Sequence, residues 1–142
     1  MTTAEDAPPV RHMQAWLLLV GALALHVFDE ALTGFLDFYN PLVLQIRERV
    51  WWFPMPTFSF GVWIVGLALL IVVLTLLAPA VRQGVVGTRA ASWFLSVIMF
   101  MNGVGHLAGS LYFQRWLPGA TSAPLLLVSS WWLARCTLER RR

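Results

Sequence analysis

Residues 57–80 contain no ionisable side chain and form a segment long enough to cross a lipid bilayer. A spanning helix needs about 20 mostly apolar residues, because the hydrocarbon layer is roughly 30 Å thick and each helical residue rises about 1.5 Å. Within lipid, every backbone N–H and C=O group must find its partner inside the protein, which leaves helices and closed barrels as spanning structures. This segment therefore predicts a helical membrane protein.

The composition of the chain agrees with that prediction. Charged residues make up 12% of the 142 residues, hydrophobic residues 58%, and the mean hydropathy is +0.69. Soluble domains average about 25% charged residues, because they need a polar surface around their core. These values argue against a soluble globular domain, a disordered chain and a nucleic-acid-binding protein, and they leave membrane lipids as the expected surroundings.

Four apolar segments predict an all-α, polytopic four-helix bundle. The predicted spans are residues 13–36, 57–78, 90–113 and 119–136, within one membrane domain of residues 13–138. Pro79 is expected to end the second span, and Ser122 is expected to cap the regular helix of the fourth. The irregular turn before Ser122 either covers polar groups inside the bundle or simply begins the last helix. Residues 1–12 and 139–142 are interpreted as a disordered tail and a basic tail.

A short amphipathic helix is predicted between the first two spans, within residues 40–53. Asn40 followed by Pro41 is typical of a helix cap and first turn. Leu42, Ile46 and Val50 then recur at helical spacing, so that one face is apolar. Such a helix is expected to lie in the membrane interface, and the paired tryptophans that follow it suit the headgroup region.

The distribution of arginine predicts the orientation. With four spans both termini share one side, and seven of the ten basic residues fall there: Arg11, Arg82, Arg89, Arg135, Arg140, Arg141 and Arg142. The opposite side has Arg47, Arg49 and Arg115. Because positive loops stay in the cytoplasm, we expect a multi-pass protein of the plasma (inner) membrane with both termini cytoplasmic.

Five polar residues lie inside predicted spans, where such residues mark functional sites. His26, Asp29 and Glu30 share one turn of the first span, and Asn102 and His106 lie four residues apart in the third. Counted from the cytoplasmic arginines, both histidines lie roughly 22 to 26 Å along their helices. We therefore expect the five side chains to converge at one level, toward the non-cytoplasmic half of the membrane.

Two structural alternatives stand beside a functional site. Polar residues in membrane helices can serve only as interhelical hydrogen bonds, each contributing about 1 kcal/mol. Gly105 and Gly109 have the GxxxG spacing that allows close helix packing, and such packing between subunits would make the protein a homo-oligomer.

The chain resembles the HXXEE-motif family of small bacterial integral membrane proteins. The residues that carry the resemblance are His26-Val27-Phe28-Asp29-Glu30, the downstream His106, and Trp116-Leu117-Pro118-Gly119. The family has His-x-x-Glu-Glu and Tyr-x-Pro-Gly, so Asp29 and Trp116 depart from its pattern. The resemblance covers about residues 13–135, supports the site and leaves its chemistry open.

Three functions are compatible with the site. The first is acid–base catalysis (isomerisation, cyclisation or hydration) on a hydrophobic, lipid-like or isoprenoid substrate, since a buried carboxylate beside histidine can exchange protons near neutral pH. Its catalytic residues would be Glu30 as proton donor, His26 and His106 as bases or cation stabilisers, Asp29 to orient a histidine, and Asn102. The second is a divalent metal site, zinc or non-haem iron, with His26, Glu30 and His106 as ligands. The third is a non-enzymatic small-ligand binder or proton-coupled carrier.

Overall fold

The computed structural model describes residues 8–139, and every regular element in that range is an α-helix. The helices are α1 (Pro8–Thr33), α2 (Phe35–Arg49), α3 (Phe60–Leu76), α4 (Ala78–Gln83), α5 (Thr88–Tyr112) and α6 (Ala123–Glu139). The predicted all-α class is confirmed. The predicted tails lie partly outside the described residues, because only residues 8–12 and 139 of them are included.

Helix α1 starts earlier and ends earlier than predicted. It begins at Pro8, so residues 8–12, which were expected to be a disordered tail, belong to the helix. It ends at Thr33 because Gly34 adopts a left-handed backbone conformation with φ 76°, which a glycine tolerates and which breaks the helical path. The chain then turns directly into α2.

The predicted start of the amphipathic helix at Asn40 is wrong. Helix α2 already begins at Phe35, and Pro41 lies inside it. The Asn40 side chain has a distant partner instead: its Nδ2 donates to the Phe58 carbonyl at 2.9 Å, and its Oδ1 accepts from the Phe58 N–H at 3.1 Å. The Asn-Pro pair looked like a helix start because local sequence cannot show that the amide is held by the segment before α3.

Tyr39 adds a second link between α2 and that segment. Its hydroxyl donates to the Pro56 carbonyl at 2.9 Å. Burial raises the pKa of this phenol above its ordinary value, and nearby Arg47 partly opposes the shift. The phenol therefore stays protonated at neutral pH and remains a hydrogen-bond donor.

The prediction that Pro79 ends the second span is also wrong. The apolar helix continues from Phe60 to Gln83 with only a small irregularity at Leu77. Pro79 lies in the first turn of α4, where a proline is tolerated because no backbone N–H is needed there. The helix ends at Gly84, whose φ is 70°.

Three helices within residues 8–139 are long and apolar enough to span a membrane: Pro9–Thr33, Phe60–Gln83 and Thr88–Tyr112. Helix α6 starts at Ala123, as the preceding proline and glycine residues predicted, but its 17 residues cover only roughly 26 Å. The fourth span therefore stays a prediction.

Helix α1 packs against α6 and against the α3–α4 helix, and α6 also packs along α5. Large buried side chains, Trp16, Leu19, Leu126 and Leu133, fill the space around α1 and α6. Gly103 allows α5 to approach α6, since a Cβ there would lie 3.1 Å from the Ala123 carbonyl oxygen. The close pairing of α1, α5 and α6 brings distant parts of the sequence together.

His12 joins the same three helices at one end of the molecule. Its side chain is fully buried, and its Nε2 lies 3.0 Å from Ser92 Oγ on α5 and 3.3 Å from Thr137 Oγ1 on α6. His26 and His106 lie toward the other ends of α1 and α5.

The predicted topology can be checked with two exposed glutamines, Gln83 and Gln114, at opposite ends of α5. In a Cys136→Ser background, Gln83→Cys and Gln114→Cys are expected to react with a membrane-impermeant maleimide from opposite faces, Gln114→Cys from outside the cell. Labelling of both from one face in intact cells would contradict a crossing by α5.

Candidate functional site

Three side chains from two helices meet at one point. His106 Nε2 lies 3.1 Å from Glu30 Oε1, His26 Nε2 lies 3.5 Å from the same oxygen, and the two Nε2 atoms are 3.3 Å apart. The side chains of His26, Glu30 and His106 are only 2%, 6% and 10% exposed. His26 and Glu30 share a face of α1 because they are four residues apart, and His106 comes from α5 at the same level, as predicted.

The outer nitrogens of both imidazoles are fixed by hydrogen bonds. His106 Nδ1 lies 2.7 Å from the Pro118 carbonyl oxygen, which can only accept, so Nδ1 carries a proton. His26 Nδ1 lies 2.8 Å from Ser122 Oγ. That hydroxyl donates to Asp29 Oδ2 at 2.8 Å, so it accepts from His26 Nδ1–H. In their neutral forms both histidines therefore turn an unprotonated Nε2 toward the cluster.

The centre of the cluster consequently needs positive charge. Two nitrogen lone pairs and a carboxylate oxygen face one another within 3.5 Å, and none of them can donate to the others. Buried acceptors without a donor are costly. A proton held by one imidazole or a metal ion would each supply the missing charge.

Asp29 lies outside this centre and supports it. One of its oxygens, Oδ2, accepts from the Ser122 backbone N–H at 3.0 Å as well as from the Ser122 hydroxyl. The carboxylate is therefore placed at the amino end of α6, where negative charge is favourable. Ser122 immediately precedes α6, as expected, but its hydroxyl is engaged with α1.

Asn102 is the one sequence-predicted site residue that does not join these contacts. It lies one turn before His106 on α5 and lines a cavity that His106 also lines. Its Oδ1 is buried and has no hydrogen-bond partner among the residues described. Its assignment as a catalytic residue stays a prediction, as do the catalytic roles of the other four.

The turn between α5 and α6 covers the histidine pair. Gly119, with φ 82°, approaches so closely that a Cβ there would lie 2.8 Å from His106 Cε1 and 2.9 Å from His26 Cε1. Ser110 fixes the start of the turn, since its hydroxyl accepts from the Leu117 N–H at 3.1 Å. Of the two interpretations of this turn, the structure favours the one in which it covers the polar groups.

Of the two glycines with GxxxG spacing on α5, Gly109 makes a close contact within the described part of the chain. Gly109 packs against this same turn, since a Cβ there would lie 2.8 Å from Leu117 Cδ1. Gly105 is exposed, and no atom among the described residues lies within the contact distance of a Cβ there. Within the chain, the two glycines therefore do not form a helix–helix contact.

Two cavities adjoin the cluster, and Phe35 lines both of them. One, of about 250 Å³, is lined by His106, Asn102, Phe35, Phe38, Gly105, Leu117 and Pro118. The other, of about 260 Å³, is lined by Glu30, Phe35, Asp37, Asn40, Trp63 and neighbouring residues. The Phe35 ring lies 5.8 Å from the His106 ring and 5.9 Å from the Trp63 ring, measured between centroids. A small molecule in one cavity would contact His106 and in the other Glu30, and in both it would lie against aromatic side chains.

Sequence reasoning missed the roles of Ser122 and Phe35. Ser122 was recognised only as a helix cap, and nothing local indicates that its hydroxyl lies between His26 and Asp29, 96 and 93 residues away. Phe35 was counted as an apolar residue of the first span. The available signal was Gly34, because a glycine between two apolar segments is a point at which the chain can turn.

The close approach of Gly119 generates a stability prediction. Gly119→Ala adds a methyl group against both imidazole rings and imposes a left-handed conformation that costs roughly 1–2 kcal/mol for an L-residue. We expect a lower midpoint of thermal unfolding in detergent. Gly66→Ala in α3 is the control, because no described atom would contact its Cβ. Equal midpoints for Gly119→Ala and wild type would contradict the role of this turn.

Comparison with known proteins gives one match. The family model described as "Protein of unknown function with HXXEE motif" matches residues 16–133, most of the chain and all residues of the cluster. No curated protein and no solved structure shows a significant match. The resemblance seen in the sequence is confirmed, and the chain belongs to the HXXEE-motif family.

Proposed function

We propose that the protein is an integral membrane metalloprotein whose His26, Glu30 and His106 bind a divalent cation, zinc or non-haem iron, for chemistry on a lipid-like molecule. One observation carries the proposal: the three inward-facing atoms of these residues have the mutual spacing of metal ligands. The edges of their triangle are 3.1, 3.3 and 3.5 Å.

The spacing agrees with tetrahedral coordination. Nitrogen and oxygen ligands lie about 2.0–2.1 Å from zinc, which places neighbouring ligands of a tetrahedron about 3.3 Å apart. If hydrogen bonds held the triangle together, each of its edges would need a donor. The N–H groups of His26 and His106 are used in their outer hydrogen bonds, so neutral histidines offer no donor to the centre. A cation of radius suited to the centre of the triangle satisfies all three acceptors together.

The surroundings of the histidines also support a metal. Metal-binding histidines usually donate their other ring N–H to a carbonyl or carboxylate, which fixes the tautomer and raises ligand basicity. Here the Pro118 carbonyl and the Ser122–Asp29 pair take these positions. Two histidines and one carboxylate are a ligand set found in both catalytic zinc and non-haem iron sites.

Three protein ligands leave a coordination position for a substrate or water, as in catalytic zinc sites. A metal there would polarise a substrate oxygen or activate water. The cavities on the Glu30 and His106 sides give access to this position, and their aromatic walls favour an apolar substrate. The expected partners are therefore membrane lipids and a hydrophobic small molecule.

Acid–base catalysis without a metal is the second candidate. The chain of hydrogen bonds from Asp29 through Ser122 to His26 favours it, because Asp29 would stabilise a protonated His26. Glu30 would then exchange that proton with the substrate. The two candidate functions use the same residues. They differ in whether a proton or a metal ion supplies the positive charge at the centre of the cluster.

We further propose that the protein lies in the plasma (inner) membrane with both termini cytoplasmic. The arginine distribution supports this orientation. It puts the cluster near the outer surface, since His26 and His106 lie in the last third of helices that would start in the cytoplasm.

Metal analysis of the purified protein tests the leading proposal. Wild type reloaded with Zn²⁺ or Fe²⁺ is expected to hold one ion per chain by elemental analysis, and His26→Ala and His106→Ala less than a tenth of that. His12→Gln is the control, because it removes a buried histidine at the other end of the bundle. No metal in folded wild type after reloading would contradict the metal proposal and leave metal-free acid–base catalysis.

The hydrogen bond to His26 generates a separate prediction. Ser122→Ala removes the acceptor of His26 Nδ1–H and is expected to weaken zinc affinity roughly 10- to 100-fold in competition with a chromogenic chelator. Ser129→Ala is the matched control, because Ser129 is a buried serine of α6 whose hydroxyl bonds only to its own helix. Equal affinities in the two variants would show that Ser122 does not tune the site.

A further inference from the structure

The cavity that Glu30 lines has a largely aromatic wall. Four of its lining residues are aromatic: Phe35, Phe58, Phe60 and Trp63. Three of these rings are neighbours, since the Trp63 centroid lies 5.9 Å from that of Phe35 and 5.9 Å from that of Phe60. The cavity volume of about 260 Å³ is just below the range of about 300–1,000 Å³ typical of pockets for drug-sized ligands. The cavity therefore suits a small head group.

The charged residues of this wall are both acidic. Glu30 and Asp37 line the cavity, and no basic residue within 8–139 lines it. The Glu30 carboxylate faces the two histidines of the cluster, whereas Asp37 forms no ion pair with any residue in the same range. Asp37 Oδ2 lies beside Gly34, another lining residue, because a Cβ on Gly34 would be 3.1 Å from that oxygen. The cavity thus has an uncompensated negative charge next to aromatic side chains.

We propose that this cavity binds an organic ammonium ion, the head group of an amphiphilic amine or ammonium lipid. Aromatic rings attract cations, tryptophan most strongly, and aromatic cages recognise quaternary ammonium groups in this way. The Asp37 carboxylate adds an ion pair. Because its nitrogen carries methyl or methylene groups, an organic ammonium ion can also contact the apolar wall.

A metal ion fits this wall less well than an organic cation. Divalent cations need several oxygen or nitrogen ligands. Asn40, the third polar residue of the wall, has both side-chain polar atoms bonded to the Phe58 backbone. The Asp37 carboxylate is therefore the polar side chain of this wall that is not already engaged by another residue of the described chain.

An apolar chain attached to the head group can extend past Phe60. This residue lies at the start of α3, the most apolar of the candidate spans, and it is 56% exposed. The inference goes beyond the proposed function, because Asp37 and the aromatic side chains are not ligands of the proposed metal.

Two cations and their neutral analogues test the role of charge. Choline is compared with 3,3-dimethylbutan-1-ol and ethanolamine with propan-1-ol, pairs in which carbon replaces the charged nitrogen. Ligand-observed NMR titration of the full chain in an uncharged maltoside detergent is expected to show one or both cations binding at least about threefold more tightly than the analogue. Empty micelles measure and correct for partition into detergent.

Two variants assign the preference to this cavity. Asp37→Asn keeps the size of the side chain and removes its charge, and Phe60→Leu removes a ring. Each is expected to lower the affinity for the cation about two- to fivefold and to leave that for the neutral analogue unchanged. The matched controls are Glu48→Gln, an exposed carboxylate on α2, and Phe94→Leu, an exposed ring on α5, both outside the cavity. A cation preference that is absent in wild type, or unchanged in either variant, would overturn the proposal.

The titrations use chelator-treated protein, so their result does not depend on a metal. Absence of metal in the elemental analysis of reloaded protein would overturn only the proposed function. Absence of a cation preference would overturn only the head-group site.

Discussion

The cluster depends on one unfavourable contact, in which three buried hydrogen-bond acceptors face one another: the Nε2 atoms of two histidines and a carboxylate oxygen. Neutral His26 and His106 turn their lone pairs toward each other and toward Glu30, because their other nitrogens are held from outside. Removing the outer hydrogen bonds would let an imidazole change tautomer and become a donor. The site is thus specified by the groups behind the histidines as much as by the histidines themselves.

Those groups come from the turn before α6, which explains why this turn is irregular. A regular helix would use the Pro118 carbonyl for its own backbone and would keep Gly119 too far from the rings. The left-handed Gly119 instead brings the chain over both imidazoles, and Ser122 begins α6 while its side chain faces α1. The conformation of the turn therefore determines which ring nitrogen of each neutral histidine carries the proton.

The sequence predicted much of this fold and the centre of the site. Hydropathy and helical periodicity identified the all-α class and the helices around the core, because apolar length and spacing are local properties. The equal depth of His26 and His106 predicted that they would meet. Local signals failed where the partner is remote: Asn40 looked like a cap and instead binds Phe58, and Pro79 looked like a terminus and instead begins the last turns of a continuing helix. The sequence did not predict that Asn102 lies beside the cluster without contacting it, because that depends on how α5 is rotated about its own axis.

The long sequence separations within the site have a consequence for how the protein is made. His106 follows His26 by 80 residues, and Ser122 follows it by 96. While the chain is being synthesised, α1 enters the membrane before any of these partners exists, with a histidine and two carboxylates in its last turns. Because His26, Asp29 and Glu30 lie in the last third of α1, near one end of the helix, they would stay close to headgroup water during that interval, where unpaired charge is least costly. The complete cluster can therefore form only after the chain has been synthesised as far as Ser122 and α6.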